Sequence, residues 1–225
     1  MTPLAPRDAY ALWAATYDSG NPVQALDALG VGLLSPPLAG VSLLDAGCGT
    51  AHRLAFAGEH RPRRAAGVDL VLEMLAAARK DPDRPRALAQ ADVNALPLRS
   101  GSFGVAWCRL VAGYVDSIVS LYRELARLLE PGGVAIVTDF HPAAARAGHT
   151  RTFRDASGTV RTVASTIHEP EEHEAAARQA GLAFDARLDL AVGDEVRPFY
   201  ERAGALARLE ADRGLPLLLA YRFRR

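Results

Sequence analysis

The sequence predicts an α/β fold built on a doubly wound, mostly parallel sheet, and three observations carry that prediction. Short apolar runs alternate with segments of helical periodicity along most of the chain, the pattern of repeated strand–helix–strand units. The first run, Leu43-Leu44, reaches Asp45 and then breaks into the closely spaced glycines of Ala46-Gly47-Cys48-Gly49-Thr50. The next two runs also end in acids, Asp69 and Asp92. Three successive strands thus deliver a carboxylate to the carboxyl edge of the sheet, where such folds place their ligands.

Each element has its own signal. The glycine turn ends the first strand and lets a ligand lie against bare backbone. No Gly-Lys-Ser/Thr follows, so it is not a P-loop, and Asp45 at its start would repel a pyrophosphate. Asp45 suits a ligand that brings positive charge or several donors. Ala65-Ala66-Gly67-Val68 forms the second strand, and Leu70 to Arg79 has apolar residues at helical spacing. Ala87 to Val93 gives a short third strand, and Phe103 to Cys108 a buried fourth one leading into Arg109. Ile118, Leu121, Tyr122, Leu125, Leu128 and Leu129 mark one face of a helix, expected to stop at Pro131-Gly132-Gly133. Gly133 to Asp139 is the fifth strand, Leu182 to Leu190 the sixth and Gly214 to Phe223 the seventh. Pro170 and the glutamates around it open a helix running toward Gly181.

Composition sets the bounds. The chain has 225 residues, is 49% hydrophobic and carries no formal net charge, which fits a single globular domain over 1–225. The charge balance argues against a nucleic-acid surface, and no apolar run is long enough to span a bilayer. No secretory signal opens the chain, and two isolated cysteines make no disulfide framework, so a cytoplasmic location is expected. No His, Cys or Asp spacing indicates a metal site. A monomer or homodimer is expected.

Asp45-Ala46-Gly47-Cys48-Gly49-Thr50-Ala51 resembles the first signature of the class I, Rossmann-like S-adenosylmethionine-dependent methyltransferases, Asp/Glu-x-Gly-x-Gly-x-Gly. Ala51 replaces its last glycine, so the backbone there should sit at negative φ or leave room for a methyl group. Gly67-x-Asp69 with Met74-Leu75, and Leu129-Glu130-Pro131-Gly132-Gly133 before a strand, resemble further hallmarks of that family. The resemblance implies a seven-stranded sheet, the Rossmann-like methyltransferase fold, with an antiparallel last strand. It implies S-adenosyl-L-methionine as cofactor, held by Asp45, Gly47, Cys48, Gly49, Thr50, Asp69, Leu70, Met74, Asp92, Val93 and Arg109. Asp69 would take the ribose hydroxyls, Asp92 the adenine amino group, and the N–H of Val93 a ring nitrogen.

Two regions are expected to shape an acceptor pocket. Residues 1–30, with Tyr10 to Asp18, resemble the helical lid of relatives of the ubiquinone and menaquinone biosynthesis methyltransferases, which would bring Tyr17 to the methionine end. Residues 140–168, inserted between strands five and six, read as a substrate cap with a small β-hairpin around Ser157-Gly158. Tyr114, Phe140, Arg151, Arg154 and His168 are its candidate substrate contacts, the arginines suiting a carboxylate or phosphate. His141, just after strand five, is the candidate base and Tyr17 the second catalytic candidate. The expected activity is transfer of a methyl group to a small-molecule acceptor through oxygen, nitrogen or carbon. The alternatives are a non-catalytic protein that binds S-adenosylmethionine or S-adenosylhomocysteine, and a nicotinamide-dependent oxidoreductase.

Overall fold

The computed structural model describes residues 2–84 and 87–225. Its strands in chain order are β1 (Ser42–Ala46), β2 (Arg64–Asp69), β3 (Leu88–Gln90), β4 (Phe103–Arg109) and β5 (Leu129–Phe140). There follow β6 (Thr152–Arg154), β7 (Val160–Thr162), β8 (Ala183–Ala191) and β9 (Pro216–Arg224). Seven of them form one sheet in the order β3-β2-β1-β4-β5-β9-β8. The pairs from β3 to β5 are parallel, and β9 runs antiparallel to both β5 and β8. The last strand therefore slots between β5 and β8, as the antiparallel seventh strand of the expected fold does.

The central strands are covered on both faces, which is why they read as continuous apolar runs. Successive side chains alternate between two cores. Leu43, Val105 and Trp107 meet one face, with Leu26, Val31 and Leu34 of α2 (Pro22–Leu34) and Leu54 of α3 (His52–Gly58). Leu44, Ala106 and Cys108 meet the other, with Leu121, Tyr122 and Leu125 of α5 (Ile118–Leu128) and Ala176 and Ala177 of α7 (Pro170–Gln179). On the first face, α4 (Leu72–Lys80) packs on β2 and buries Leu75 and Ala78.

Two boundaries differ from those expected. The helix before strand five stops at Leu128, and β5 begins at Leu129, ahead of the Pro-Gly-Gly segment. Leu129 already pairs with Phe103, and the register shifts before Val134 pairs with Val105. The extra residues bulge out at Gly132, φ +80°, and at Gly133, where an added Cβ would lie 2.8 Å from the Glu130 carbonyl oxygen. The N-terminal segment also divides. Gly20, φ +76°, breaks the chain, and Asn21 Oδ1 accepts from the Gln24 N–H at 2.9 Å to start α2 afresh. Residues 22–34 are thus a layer of the core, and the stretch left to lie over the sheet edge is α1 (Pro6–Trp13) with a 3-10 turn at Tyr17–Ser19.

That shorter stretch docks on the β6–β7 hairpin. Leu4 exchanges backbone hydrogen bonds with Thr162 and Ala164, both 2.8 Å, and Trp13 stacks on Phe153 at 4.8 Å between ring centroids. Ala9, Phe153 and Val163 form a small third core there. The N-terminal stretch and the hairpin make one layer over the carboxyl edge.

Candidate active site

The glycine loop is held in place by its own backbone and by the second strand. Gly47 and Cys48 N–H both donate to the Val68 carbonyl, at 2.8 and 2.9 Å. Gly47 sits at φ +81°, and a Cβ there would lie 2.3 Å from Val111 Cγ2, so only glycine fits. Of the two alternatives at Ala51, negative φ is ruled out, because its φ is +55°. The left-handed geometry of the missing glycine is kept by an alanine, at a cost of roughly 1–2 kcal/mol. Asp69, at the end of β2, accepts from Gly49 N–H at 2.7 Å and from Val71 N–H at 2.9 Å. Burial raises its pKa, and these backbone donors oppose the rise.

A cavity of about 200 Å³ lies against this loop. Gly47, Gly49, Asp69, Leu70, Asp92 and Val93 line it together with Arg109, Val111 and Tyr114. Tyr10 and Tyr17 of the lid segment also line it. Asp92 Oδ1 accepts from the Asn94 backbone and side-chain N–H groups at 2.8 and 3.0 Å. Asp69, at the end of β2, and Asp92, just past β3, therefore line the same cavity.

Asp45 lies behind the loop and is fully buried, yet neither of its oxygens has a hydrogen-bond donor among the described residues. Burial lifts its pKa to about 6, against the pull of Arg109 and Arg53. Nearby, Asp27 from α2 takes two hydrogen bonds from Arg109, at 3.0 and 2.7 Å, and one from Thr138 at 2.6 Å. Burial alone would raise the Asp27 pKa, but the two arginines and the hydrogen bonds hold it below the usual carboxylate range. A bare glycine cradle, an acid with no donor and the cavity-lining carboxylates of Asp69 and Asp92 fit the donor-rich, cationic chemistry of S-adenosylmethionine.

On the far side of Tyr114, a second polar cluster is packed between β5 and the hairpin. Tyr10 Oη donates to Tyr114 Oη at 3.0 Å. The Arg151 guanidinium lies over the rings of Tyr114 and Phe140, 5.2 Å from each centroid, and pairs with Asp139 at 3.1 Å. Its Nε has no acceptor among the described residues. Asp139 Oδ2 stands 3.5 Å from His173 Nε2, and His173 Nδ1 meets Tyr122 Oη at 3.0 Å. Burial would raise the Asp139 pKa; His173 and Arg151 outweigh it and lower it.

Several expected site residues lie elsewhere. Met74 is buried under the loop as core filling, since α4 turns that position inward. Cys48 and Thr50 face away from the cavity, the hydroxyl donating to Asp18 at 2.6 Å. Phe140 is buried behind Arg151 and Arg154 is exposed, donating to the Gly158 carbonyl at the hairpin tip. His168 is buried against His173, and lines neither large cavity. His141 is the main correction. Its Nδ1 caps α6 (Pro142–Arg146), accepting from Ala143 N–H at 3.0 Å, and it faces Asp189 and Arg187 on β8 rather than the glycine loop. His141→Ala should leave turnover within about twofold of the parent and cost about 1 kcal/mol of stability through the lost cap, read by steady-state rate and denaturant titration.

Asp27, Arg53, Asp139 and His173 were not singled out from the sequence. Asp27 had a signal, as the sole charge in an otherwise apolar helix, and Asp139 another, as a fourth acid at a strand end. His173 had none, because it sits among helix-opening glutamates. Among the described residues there is no cluster suited to a metal ion, and no helix is long and apolar enough to cross a membrane.

Comparison with known proteins agrees with this geometry. Residues 44–137 match the family model described as a methyltransferase domain. A malonyl-[acyl-carrier protein] O-methyltransferase of Dechloromonas aromatica is 31% identical over 210 residues, covering 91% of this chain and 74% of that protein. Its counterpart in Pectobacterium atrosepticum is 36% identical over 101 residues, and there the match spans only 39% of the relative's length. The crystal structure of an S-adenosylmethionine-dependent methyltransferase from Mesorhizobium loti superposes with a TM-score of 0.69 at 25% identity, over 89% of this chain and 98% of that one. The chain belongs to the class I, Rossmann-like S-adenosylmethionine-dependent methyltransferases, whose cofactor is S-adenosyl-L-methionine.

Proposed function

We propose that this chain methylates a carboxylate oxygen of a small acid or of an acid carried on a thioester. The observation that carries this reading is Arg151, whose side chain is only 9% exposed, is anchored by Asp139, stacks on the cavity-lining Tyr114 and keeps an Nε without an acceptor among the described residues. Such a group pairs with a carboxylate bidentately and fixes its direction. The names of the Dechloromonas and Pectobacterium relatives agree, because a malonyl thioester offers one free carboxylate.

In this reading Asp69, Leu70, Asp92 and Val93 hold the adenosine, and the backbone of Gly47 and Gly49 holds the methionine end, with the Asp45 charge behind it. When bound, the cofactor supplies a methyl group already activated by its sulfonium. The protein's part is alignment and exclusion of water, effects worth as much as roughly 7–11 kcal/mol. Tyr10, Tyr17 and Tyr114 close the site, and Arg151, behind Tyr114, is the cation an acceptor carboxylate would be drawn to. No histidine lines the cavity, and a carboxylate, ionised at neutral pH, needs no base. The single domain over 1–225, with lid and hairpin as one cap, belongs to the same proposal.

The test is release of S-adenosylhomocysteine during incubation with S-adenosylmethionine and one acceptor at a time: malonyl thioesters, simple carboxylates, phenols and amines. Turnover confined to the carboxylates supports the reading. Turnover with phenols or amines but no carboxylate overturns it, and no turnover with any acceptor favours a binding protein.

A further inference from the structure

A second, larger cavity lies on the other side of the glycine loop. It is a groove of about 580 Å³ between α2 and α3, with Trp107 among its lining residues and Phe199 contributing from α8 (Arg197–Arg202). Its α2 wall is mostly apolar, while Asp18, Asn21, Gln24, His52 and His60 also line it. Across its thirteen residues α2 carries one charge, Asp27, which is buried, and the outward side presents Ala28, Leu29, Gly32 and Leu33. Phe56 of α3 lines the groove while more than half exposed. Surface helices of globular proteins normally turn a polar face to water, so an uncharged one bordering a groove marks a place where apolar matter binds.

The inner end has the opposite chemistry. Arg53 and Arg109 both line it, and both approach the same oxygen of Asp27. Arg109 takes the short contacts, while Thr138 occupies the other oxygen at 2.6 Å. Arg53 is left with long ones, 3.4 Å to Asp27 and 3.5 Å to Tyr17 Oη. A largely buried guanidinium without a short acceptor, at the closed end of an apolar groove, complements an acid with a hydrocarbon body.

We propose that this groove is a second ligand site, taking an apolar-bodied carboxylate with its acid group on Arg53 and its chain between α2 and α3. The site does not depend on which acceptor is methylated. Tyr17 and Arg109 line both cavities, so the two sites touch without coinciding. Each ligand therefore shifts the other's affinity by the same factor.

The test is calorimetric titration of the whole chain with decanoate, followed also by the fluorescence of Trp107 on the groove wall. Saturable sub-millimolar binding is expected, absent for decylamine, and retained when S-adenosylhomocysteine is saturating. Gly32→Trp should weaken decanoate by about tenfold or more, since an added Cβ at Gly32 meets nothing within 4 Å and the indole can lie in the groove. It should leave S-adenosylhomocysteine affinity within about twofold. Arg53→Gln should weaken decanoate to a similar degree. No saturable uptake, equal uptake of decylamine, insensitivity to both substitutions, or complete displacement by S-adenosylhomocysteine each overturns the proposal.

Discussion

Asp45→Asn should make the protein more stable at neutral pH and at the same time weaken its hold on S-adenosylmethionine. Asp45 is fully buried without a hydrogen-bond donor, and its pKa is raised to about 6. An unfolded aspartate titrates near 3.9. The folded state thus binds the proton more tightly, and the stability this contributes is complete below about pH 4 and is lost as pH rises through about 6. At pH 7.5 the folded protein carries an ionisation cost of about 3 kcal/mol that asparagine avoids. For a chain of this size that is a rise in Tm of several degrees. The difference between variant and parent should shrink as the pH is lowered toward 4. Affinity for S-adenosylmethionine should fall by about tenfold or more, because the negative charge directly behind the loop that would hold a cationic ligand is replaced by a neutral amide. Parallel thermal melts and calorimetric titrations at pH 5 and 7.5 check both halves. A variant less stable than the parent at pH 7.5 contradicts the account of Asp45.

The second large effect is expected at Arg151. Arg151→Gln should lower turnover with a carboxylate acceptor by on the order of 10²-fold, while affinity for S-adenosylhomocysteine stays within about twofold. The substitution also strands Asp139, and breaking a buried pair on one side costs roughly 3–5 kcal/mol. Stability and turnover therefore have to be separated. Arg151→Gln with Asp139→Asn removes both charges and should recover most of the stability but none of the turnover. Recovery of turnover in the double variant would make Arg151 a structural residue, with its charge serving only Asp139.

Most of the frame that positions these residues was legible before any coordinates. Apolar runs ending in Asp45, Asp69 and Asp92 identify parallel strands whose tips share one edge, because a buried strand and its polar end leave a local trace. The side chains that matter at the acceptor end left a weaker one. Asp139 ends β5 just as Asp45 and Asp69 mark the ends of β1 and β2, but its role depends on Arg151 arriving from a hairpin twelve residues later. That pairing is tertiary and has no spacing rule. His141 shows the converse: a position beside the right strand end is not a direction, and a local cap claimed its ring. The lid boundary failed for a similar reason. Residues 22–34 are apolar enough for either role, and what settles them in the core is the break at Gly20 and the burial of Leu26 and Val31 on the sheet.

Transfer of a methyl group to a carboxylate oxygen leaves one property in the product that tests it directly. The protein is to be incubated with methyl-labelled S-adenosylmethionine and a malonyl thioester, and the labelled product treated with mild alkali. A carboxyl methyl ester releases its label as volatile methanol, and that is the predicted result. Label that stays on the product through alkali sits on nitrogen, carbon or an ether oxygen, and would contradict the account.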